Sequence, residues 1–234
     1  MTPRDTAFAW LLVGCILKVS FLITVKTNYR SVAYHNWAHG FHVCNSIYSI
    51  LKASPGIFSP VECLGQWVGA ICHDLDHRGY NNKFMIDIQS PLAKIYTTST
   101  MENHHFTMGV SILQREENSL LDCLNPEEYK EVLDVMKKAI LATDLAMFFP
   151  NKARLANIVK DNVFDWDMTD HRLDLNNTQP ACLLPSNIPN IQYRMLAMSL
   201  CMTGSDLNSS SKPWTVQRKT ADIVYEEFHE QVVQ

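Results

Sequence analysis

The chain has 234 residues, 47% of them hydrophobic, which is enough for one domain with a substantial core. Its formal net charge is −4 and it has no long basic stripe, so the sequence argues against a nucleic-acid-binding protein. Seven scattered cysteines without a Cys-x-x-Cys pair indicate neither a disulfide framework nor a zinc ribbon, and we expect free thiols in a cytoplasmic protein.

The first predicted element is an apolar segment over residues 7–25, interrupted by Lys18. Its uninterrupted core, residues 7–17, is short for a membrane span, and no small-residue cleavage site follows it. We therefore predict a buried or interfacial helix rather than a membrane anchor or a secretory signal. Residues 1–19 are treated as a separate N-terminal segment.

Helical periodicity dominates the rest of the chain, which predicts an all-α fold. His35 and His39 lie four residues apart, on one face of a predicted helix. That helix is predicted to bury a stripe whose steps are four and three residues: Trp37, Phe41, Cys44, Tyr48 and Leu51. His42 lies on the same helix and is expected to be a surface or packing residue.

Four further helices and one irregular insertion are predicted toward the C-terminus. One helix delivers His73 and Asp74 at its C-terminal end and buries Leu64, Trp67, Val68 and Ile71. The next begins at a capping box and buries one apolar stripe: Asn125, Pro126 and Glu128 at the cap, then Val132, Met136 and Ile140. Residues 176–192, rich in proline and asparagine, predict an irregular insertion near 175–193. A helix over 195–202, ending near Asp206, then precedes an amphipathic helix over 214–232 with an apolar face: Val216, Thr220, Ile223, Val224 and Phe228.

The run from His73 to Gly79 places two imidazoles and two carboxylates within five residues. Without a metal, burying such groups would leave several of them unsatisfied, at about 1–3 kcal/mol each. Neutral imidazole and ionised carboxylate are the usual ligands of zinc, manganese and magnesium. A second cluster around His35 and His39 strengthens the prediction of one shared metal site.

Five motifs occur in the order and approximate spacing of a known family: Tyr34-His35-Asn36-Trp37-x-His39, His73-Asp74-Leu75-Asp76-His77-Arg78-Gly79 with Asn81-Asn82, Glu102-x-His104-His105, Ala142-Thr143-Asp144, and Thr203-x-x-Asp206. On these motifs the chain resembles the class I 3′,5′-cyclic nucleotide phosphodiesterase catalytic domain. It looks closest to the GAF-containing, dual-specificity type ten and eleven branch. The resemblance implies a multi-helical HD-type catalytic domain over residues 20–234, incomplete at both ends.

The resemblance also implies a two-metal site. His39, His73, Asp74 and Asp206 would hold zinc, and Asp74 would bridge to a second ion, magnesium or manganese. Four residues would orient waters and ligands around the ions: His77, Glu102, His105 and Asp144. His35 would be the general acid, and Tyr34 would lie against the substrate.

The implied function is hydrolysis of cAMP, cGMP or both to 5′-monophosphates in second-messenger signalling. A cyclic nucleotide is the expected partner, with a homodimer as a further possibility and no membrane association. The main alternative is a catalytically silent, truncated isoform that binds metal or a partner. Its motivation is that the chain stops at Gln234, before the family's base-reading glutamine and phenylalanine, and that the insertion directly precedes Asp206. A third alternative keeps the metal chemistry but acts on another phosphate ester.

Overall fold

The computed structural model describes residues 19–160 and 189–233, and within these ranges it contains helices and no strand. This confirms the predicted all-α class. The predicted N-terminal helix over residues 7–17 and residues 176–188 of the predicted insertion lie outside the described residues. The described α-helices are α1 Val19–Asn28, α2 Trp37–Ala53, α3 Pro60–Cys72, α4 Asn82–Asp87, α5 Pro91–Ile95, α6 Thr100–Leu113, α7 Pro126–Leu141, α8 Leu145–Lys160, α9 Pro189–Asp206 and α10 Trp214–Val233.

Helix α3 is the centre of the core and is buried from Glu62 to Cys72. Ser59 caps it, with the Ser59 hydroxyl accepting from the Glu62 N–H and the Glu62 carboxylate accepting from the Ser59 N–H. All four residues of the predicted α3 stripe are buried, as is the predicted α7 stripe. The predicted capping box at the start of α7 is also present.

Two glycines let α3 approach α7 closely. A Cβ atom on Gly65 would lie 2.7 Å from the Val135 Cβ and 2.9 Å from the Val132 carbonyl oxygen. One turn later, a Cβ on Gly69 would lie 3.1 Å from the Ala139 Cβ. Because a larger side chain would separate the two helices, these glycines determine how far α3 sits from its main neighbour.

Helix α2 begins one residue after Asn36, whose side-chain oxygen accepts from the Ala38 and His39 N–H groups. The prediction that His35 lies inside this helix is therefore wrong, since His35 precedes the cap. The predicted stripe is also partly wrong, because Phe41 and Tyr48 are 54% and 38% exposed. The buried face is instead Gly40, Val43, Cys44, Ile47 and Leu51 together with His39.

Helix α9 begins at Pro189, so the last four residues of the predicted irregular stretch are helical. It ends at Asp206, as predicted. Near that end, the Thr203 hydroxyl donates to the Ala142 carbonyl oxygen over 2.7 Å, which joins α9 to the end of α7. Met198 and Met202 are buried on the inward face.

Helix α10 spans the predicted range but turns a different face inward. Its less exposed positions follow helical spacing: Gln217, Thr220, Val224, Glu227 and Gln231. The predicted apolar face is partly wrong: Thr220 and Val224 are turned inward, but Val216, Ile223 and Phe228 are exposed. A mostly polar face is turned inward because Glu227 finds hydrogen-bond donors there, as described below.

None of the described helices combines the length and the apolar character needed to cross a bilayer. The five cysteines in the described part of the chain carry free thiols: Cys44, Cys63, Cys72, Cys123 and Cys201. This agrees with the expectation of free thiols.

Candidate active site

Four predicted ligands converge at the ends of three helices. His39 Nε2 lies 2.9 Å from Asp206 Oδ1, 3.2 Å from His73 Nε2 and 3.3 Å from Asp74 Oδ2. His73 Nε2 lies 3.1 Å from Asp74 Oδ2 and 3.3 Å from Asp206 Oδ1. Ligand atoms at the zinc distance from one ion stand about 2.8–3.6 Å from each other. The five distances given for these four side chains are those of atoms in one metal coordination shell.

The hydrogen bonds around these atoms fit a metal. His73 Nδ1 donates to the Ala70 carbonyl oxygen over 2.8 Å, which leaves the Nε2 lone pair aimed at the cluster. Asp74 Oδ2 is buried, and beyond its ion-pair contacts with His39 and His73 it accepts no hydrogen bond of good geometry among the described residues. Two converging imidazole nitrogens and an unsatisfied buried carboxylate oxygen are the donor set that a divalent cation would complete.

The electrostatics of the cluster favour a positive charge at its centre. Burial alone would lower the pKa of His39 and His73, but hydrogen bonds and charge from Asp74 and Asp206 outweigh burial and raise both. Burial alone would raise the pKa of the two aspartates, yet the histidines hold both values below the usual range. The cluster therefore stabilises a positive charge at its centre, and a bound metal ion would supply that charge.

The backbone around Asp74 is held by Tyr29, which is buried behind the cluster. Its hydroxyl donates to the Ile71 carbonyl oxygen over 2.9 Å and accepts from the Asp74 N–H over 3.4 Å. The Tyr29 ring fits only because α2 has a glycine at position 40, where a Cβ would lie 2.5 Å from that hydroxyl oxygen. Packing between α1, α2 and α3 thus places the ligand-bearing end of α3.

His77 and His105 lie on the other side of Asp74, and one donor atom from each of the three residues lies within 4.8 Å of the others. His105 Nδ1 donates to the Leu75 carbonyl oxygen over 2.6 Å, so its Nε2 lone pair points toward Asp74 Oδ1, 3.9 Å away. Burial lowers the pKa of His105 to about 4 and that of His77 to about 3. Both imidazoles are therefore neutral at pH 7 and can contact a second ion or its waters.

Glu102 and Asp144 complete this side of the site. Burial raises the pKa of Glu102 to about 7, the charges of Asp144 and Asp74 also raise it, and a hydrogen bond from Asn82 opposes them. Asp144 accepts from the Ser99 hydroxyl over 2.7 Å and from the Ala146 N–H over 2.9 Å. Ser99 has a φ of +43°, an unfavourable conformation for a residue with a side chain.

His35 lies beside the cluster and pairs with Glu227 of α10. His35 Nδ1 contacts Glu227 Oε1, and Glu227 Oε2 accepts from the Tyr34 and His35 N–H groups over 2.7 and 3.1 Å. The His35 ring stacks on His77 with 4.0 Å between ring centroids. The Tyr34 ring lies 4.6 Å from that of His39. Burial and the charge of Asp206 raise the pKa of Tyr34 to about 12, so it remains a phenol.

Glu227 is the residue that sequence reasoning missed. The apolar residues of the helix over 214–232 predict a buried face that excludes Glu227. A stripe through Gln217, Thr220 and Val224 at the same helical spacing includes Glu227 as its single acidic member. Helical spacing alone therefore indicates Glu227, provided that the buried face of this helix is allowed to be mostly polar.

Asp76 and His104 belong to the motifs but not to the converging cluster. His104 Nε2 lies 2.8 Å from Asp76 Oδ2, and Arg30 donates to the other oxygen over 2.6 Å. Asp76 also has a φ of +60°. This ion-paired turn holds the chain after α3 in place between His73 and His77. His42 is exposed on α2, as expected.

An all-helical body that brings His39, the His73–Asp74 pair and Asp206 to one point defines the HD class of helical metal-binding domains. The family described as 3'5'-cyclic nucleotide phosphodiesterase matches residues 34–234. The chain belongs to this family, which is metal-dependent, and its buried histidine–aspartate cluster could bind such a metal.

Named relatives agree with this assignment. The chain is 44% identical over 213 residues to the "Probable 3',5'-cyclic phosphodiesterase pde-5" of Caenorhabditis elegans, a match that covers 91% of this chain and 26% of the relative. It is 38% identical over 213 residues to two proteins of Drosophila melanogaster, a cGMP-specific 3',5'-cyclic phosphodiesterase and the "Dual 3',5'-cyclic-AMP and -GMP phosphodiesterase 11". Each match covers 90% of this chain, but only 17% and 13% of those relatives. The chain thus spans about a quarter or less of their length.

Solved structures support the fold. The phosphodiesterase domain of the Salpingoeca rosetta rhodopsin phosphodiesterase superposes with a TM-score of 0.79 at 26% identity, covering 91% of this chain and 59% of that chain. A second structure, of the phosphodiesterase domain of the RhoPDE fusion protein from the same organism, gives a TM-score of 0.81 at 24% identity. That match covers 99% of this chain and 71% of that chain, and it shows the fold alone.

Proposed function

We propose that this chain is the metal-binding part of a catalytic domain that hydrolyses 3′,5′-cyclic nucleotides, cAMP, cGMP or both, to 5′-monophosphates. The observation that carries the proposal is the convergence of His39, His73, Asp74 and Asp206 within hydrogen-bonding distance beside the His35–Glu227 pair. The names of the relatives support both nucleotides as substrates.

In this proposal the four converging side chains would hold zinc, and Asp74 with His77 and His105 would contact magnesium or manganese. Bound together, two such ions acidify a water molecule and neutralise charge on the phosphate. Asp74 can serve both positions because Oδ2 faces His39 and His73 while Oδ1 faces His105. Glu102 and Asp144, whose charges interact, would orient waters around the second position.

His35 is the proposed general acid. Attack of water on phosphorus breaks the bond to the 3′-oxygen, and that oxygen needs a proton as it leaves. With Nδ1 paired to Glu227, His35 can present a proton on Nε2. Glu227 fixes the tautomer and the ring orientation, the role that an acid often has beside a catalytic histidine. The phenol of Tyr34, packed on the imidazoles of His35 and His39, would line the substrate side.

The proposal takes residues 20–234 as a partial catalytic domain that acts in the cytoplasm, without a nucleic-acid partner, and it leaves a homodimer open. Residues 175–193 remain an insertion within it. The support is the family match over residues 34–234 and the acidic net charge of the chain.

The test is a turnover assay on purified protein with zinc and magnesium, using cAMP and cGMP. Replacing the general acid, His35→Ala, should lower kcat by about 10²–10⁴-fold and leave the zinc content unchanged. His42→Ala, on an exposed histidine seven residues away, is the matched control and should retain full activity. Loss of zinc together with turnover in His35→Ala would contradict the role of His35.

A second candidate is a catalytically silent protein that binds metal or a partner. The observation in its favour is the exposed aromatic surface of α10, where Trp214, Tyr225 and Phe228 are 69%, 77% and 47% exposed. Stoichiometric zinc with no detectable hydrolysis of either nucleotide would favour this candidate. Turnover that depends on His35 would exclude it.

A further inference from the structure

A buried ion pair joins the N-terminal parts of α3 and α9, about three helical turns before the metal ligands that each helix carries. Arg194 Nε lies 3.0 and 3.2 Å from the two carboxylate oxygens of Glu62. Glu62 is 2% exposed and Arg194 is 6% exposed. Glu62 is itself immobilised, because its Oε2 also accepts from the Ser59 N–H over 2.7 Å at the α3 cap. Arg194 therefore meets a carboxylate whose position is already determined.

The same two helices meet again at their other ends. There, His73 at the C-cap of α3 lies 3.3 Å from Asp206, the last residue of α9. Because the N-terminal parts of the two helices meet and their C-terminal ends also meet, α3 and α9 run in the same direction. Glu62 and His73 are eleven residues apart, and Arg194 and Asp206 are twelve apart. At 1.5 Å per residue these spans are about 17 and about 18 Å, so the two helices match in length between their contacts.

We propose that the Glu62–Arg194 ion pair is a positioning device that sets the register of α9 on α3 and thereby places Asp206 among the metal ligands. The inference rests on the metal centre of the proposed function. A slip of one helical turn, about 5.4 Å, would separate both the ion pair and the Asp206 contacts. The pair acts through Asp206 and touches neither metal nor substrate.

The apolar contacts of α9 cannot set this register alone. Its inward face includes Met198 and Met202, and methionine adapts to irregular surroundings and specifies position weakly. The Thr203 hydroxyl bonds a carbonyl oxygen of α7, so it does not tie α9 to α3. A buried ion pair, by contrast, is strongly unfavourable when its partners separate, and this is how buried polar groups can specify one arrangement.

The experiment removes the charges and keeps the packing. In the double variant Glu62→Gln with Arg194→Met, the amide oxygen still accepts at the α3 cap and methionine fills the volume of the arginine stem. Zinc affinity is measured by competition with a chromophoric chelator, well below the unfolding temperature. We expect affinity to fall by about 10–100-fold, the range seen when groups that orient metal ligands are lost. Leu121→Ala, a buried apolar residue outside α3 and α9, is the control for destabilisation and should bind zinc like the wild type.

A double-mutant cycle with Asp206→Ala tests whether the pair acts through Asp206. In that background the Glu62→Gln and Arg194→Met changes should have no further effect on zinc affinity. Full additivity, or unchanged affinity in the folded double variant, would overturn the inference and leave the proposed function standing. If the wild type binds no zinc, the proposed function and this inference both fail. Should the double variant not fold, Arg194→Lys replaces it, with a several-fold weaker affinity expected and an unchanged affinity again overturning the inference.

Discussion

Glu227 carries a buried carboxylate on the inward face of α10, and three donors surround it. They are His35 Nδ1 and the backbone N–H groups of Tyr34 and His35. Burial alone would raise the pKa of Glu227, but the hydrogen bond and charge of His35 and the two N–H groups lower it from 4.5 to about 2. Burying the Glu227 carboxylate without partners would be unfavourable. With these three donors, it holds α10 against the site.

This low pKa predicts a pH-dependent contribution to stability. Because the folded value lies below the unfolded one, the stabilisation is fully present above about pH 4.5 and is lost as pH falls through about 2. Glu227→Gln should lower the free energy of unfolding by about 2–3 kcal/mol at pH 7, and by much less near pH 2. Urea unfolding at several pH values measures this. Glu226→Gln, its exposed neighbour, is the control, and a Glu227→Gln deficit that stays constant with pH would contradict the pairing.

At the scale of the elements, the contact between α3 and α7 decides where the metal-binding end of α3 lies. Gly65 and Gly69 make that contact close, and capping boxes fix where both helices begin. Helix α9 runs in the same direction as α3 and meets it at the Glu62–Arg194 pair near one end and at the predicted metal ligands at the other. Because each helix is rigid, contacts along its length determine where the metal ligands at its end lie.

Two glycine substitutions should have opposite effects. Gly65→Ala places a Cβ 2.7 Å from a side-chain carbon and 2.9 Å from a backbone oxygen of α7, so the helices must separate, at about 1–3 kcal/mol or more. Gly204→Ala meets nothing within 4 Å among the described residues, and should add about 0.5–1 kcal/mol through helix propensity. Thermal and urea unfolding of both variants measure this. A destabilised Gly204→Ala protein, or a neutral Gly65→Ala protein, would contradict the packing.

For the whole molecule, the cluster joins three helices that are far apart in sequence. His39 comes from α2, His73 and Asp74 follow the body of α3, and Asp206 ends α9. Without a cation, the Asp74 and Asp206 carboxylates lie 2.9–3.3 Å from the His39 and His73 imidazole nitrogens. A metal at this point therefore links helices that otherwise meet mainly through apolar packing.

Removal of the metal should accordingly destabilise the whole domain. Zinc at about a thousand times its dissociation constant would add about 4 kcal/mol, which corresponds to a rise in Tm of about 8–16 °C for a chain of this size. Thermal unfolding with a chelator, and then with zinc restored, measures the difference. His73→Ala is the control, and its Tm should no longer respond to zinc. A wild-type Tm that is insensitive to zinc would contradict a metal centre.

Much of the site could be predicted from the sequence because its chemistry lies in short local motifs. The His73–Asp74 pair, the capping box at Asn125 and the helix that ends at Asp206 depend on neighbours in the chain, so composition and spacing predicted them. The five motifs also led to the family that the comparison over residues 34–234 shows. The sequence predicts a feature correctly where the residues that produce it lie within one or two helical turns of each other.

Only the tertiary structure decided which faces are buried and which charges meet. The apolar stripes expected on α2 and α10 are partly exposed, because the inward faces are selected by Tyr29 behind α2 and by the donors around Glu227. The pairing of Arg194 with Glu62, 132 residues apart, has no local signature at all. Such contacts depend on how whole helices pack, since burial makes an ion pair or a polar face favourable only when its partner arrives from another part of the chain.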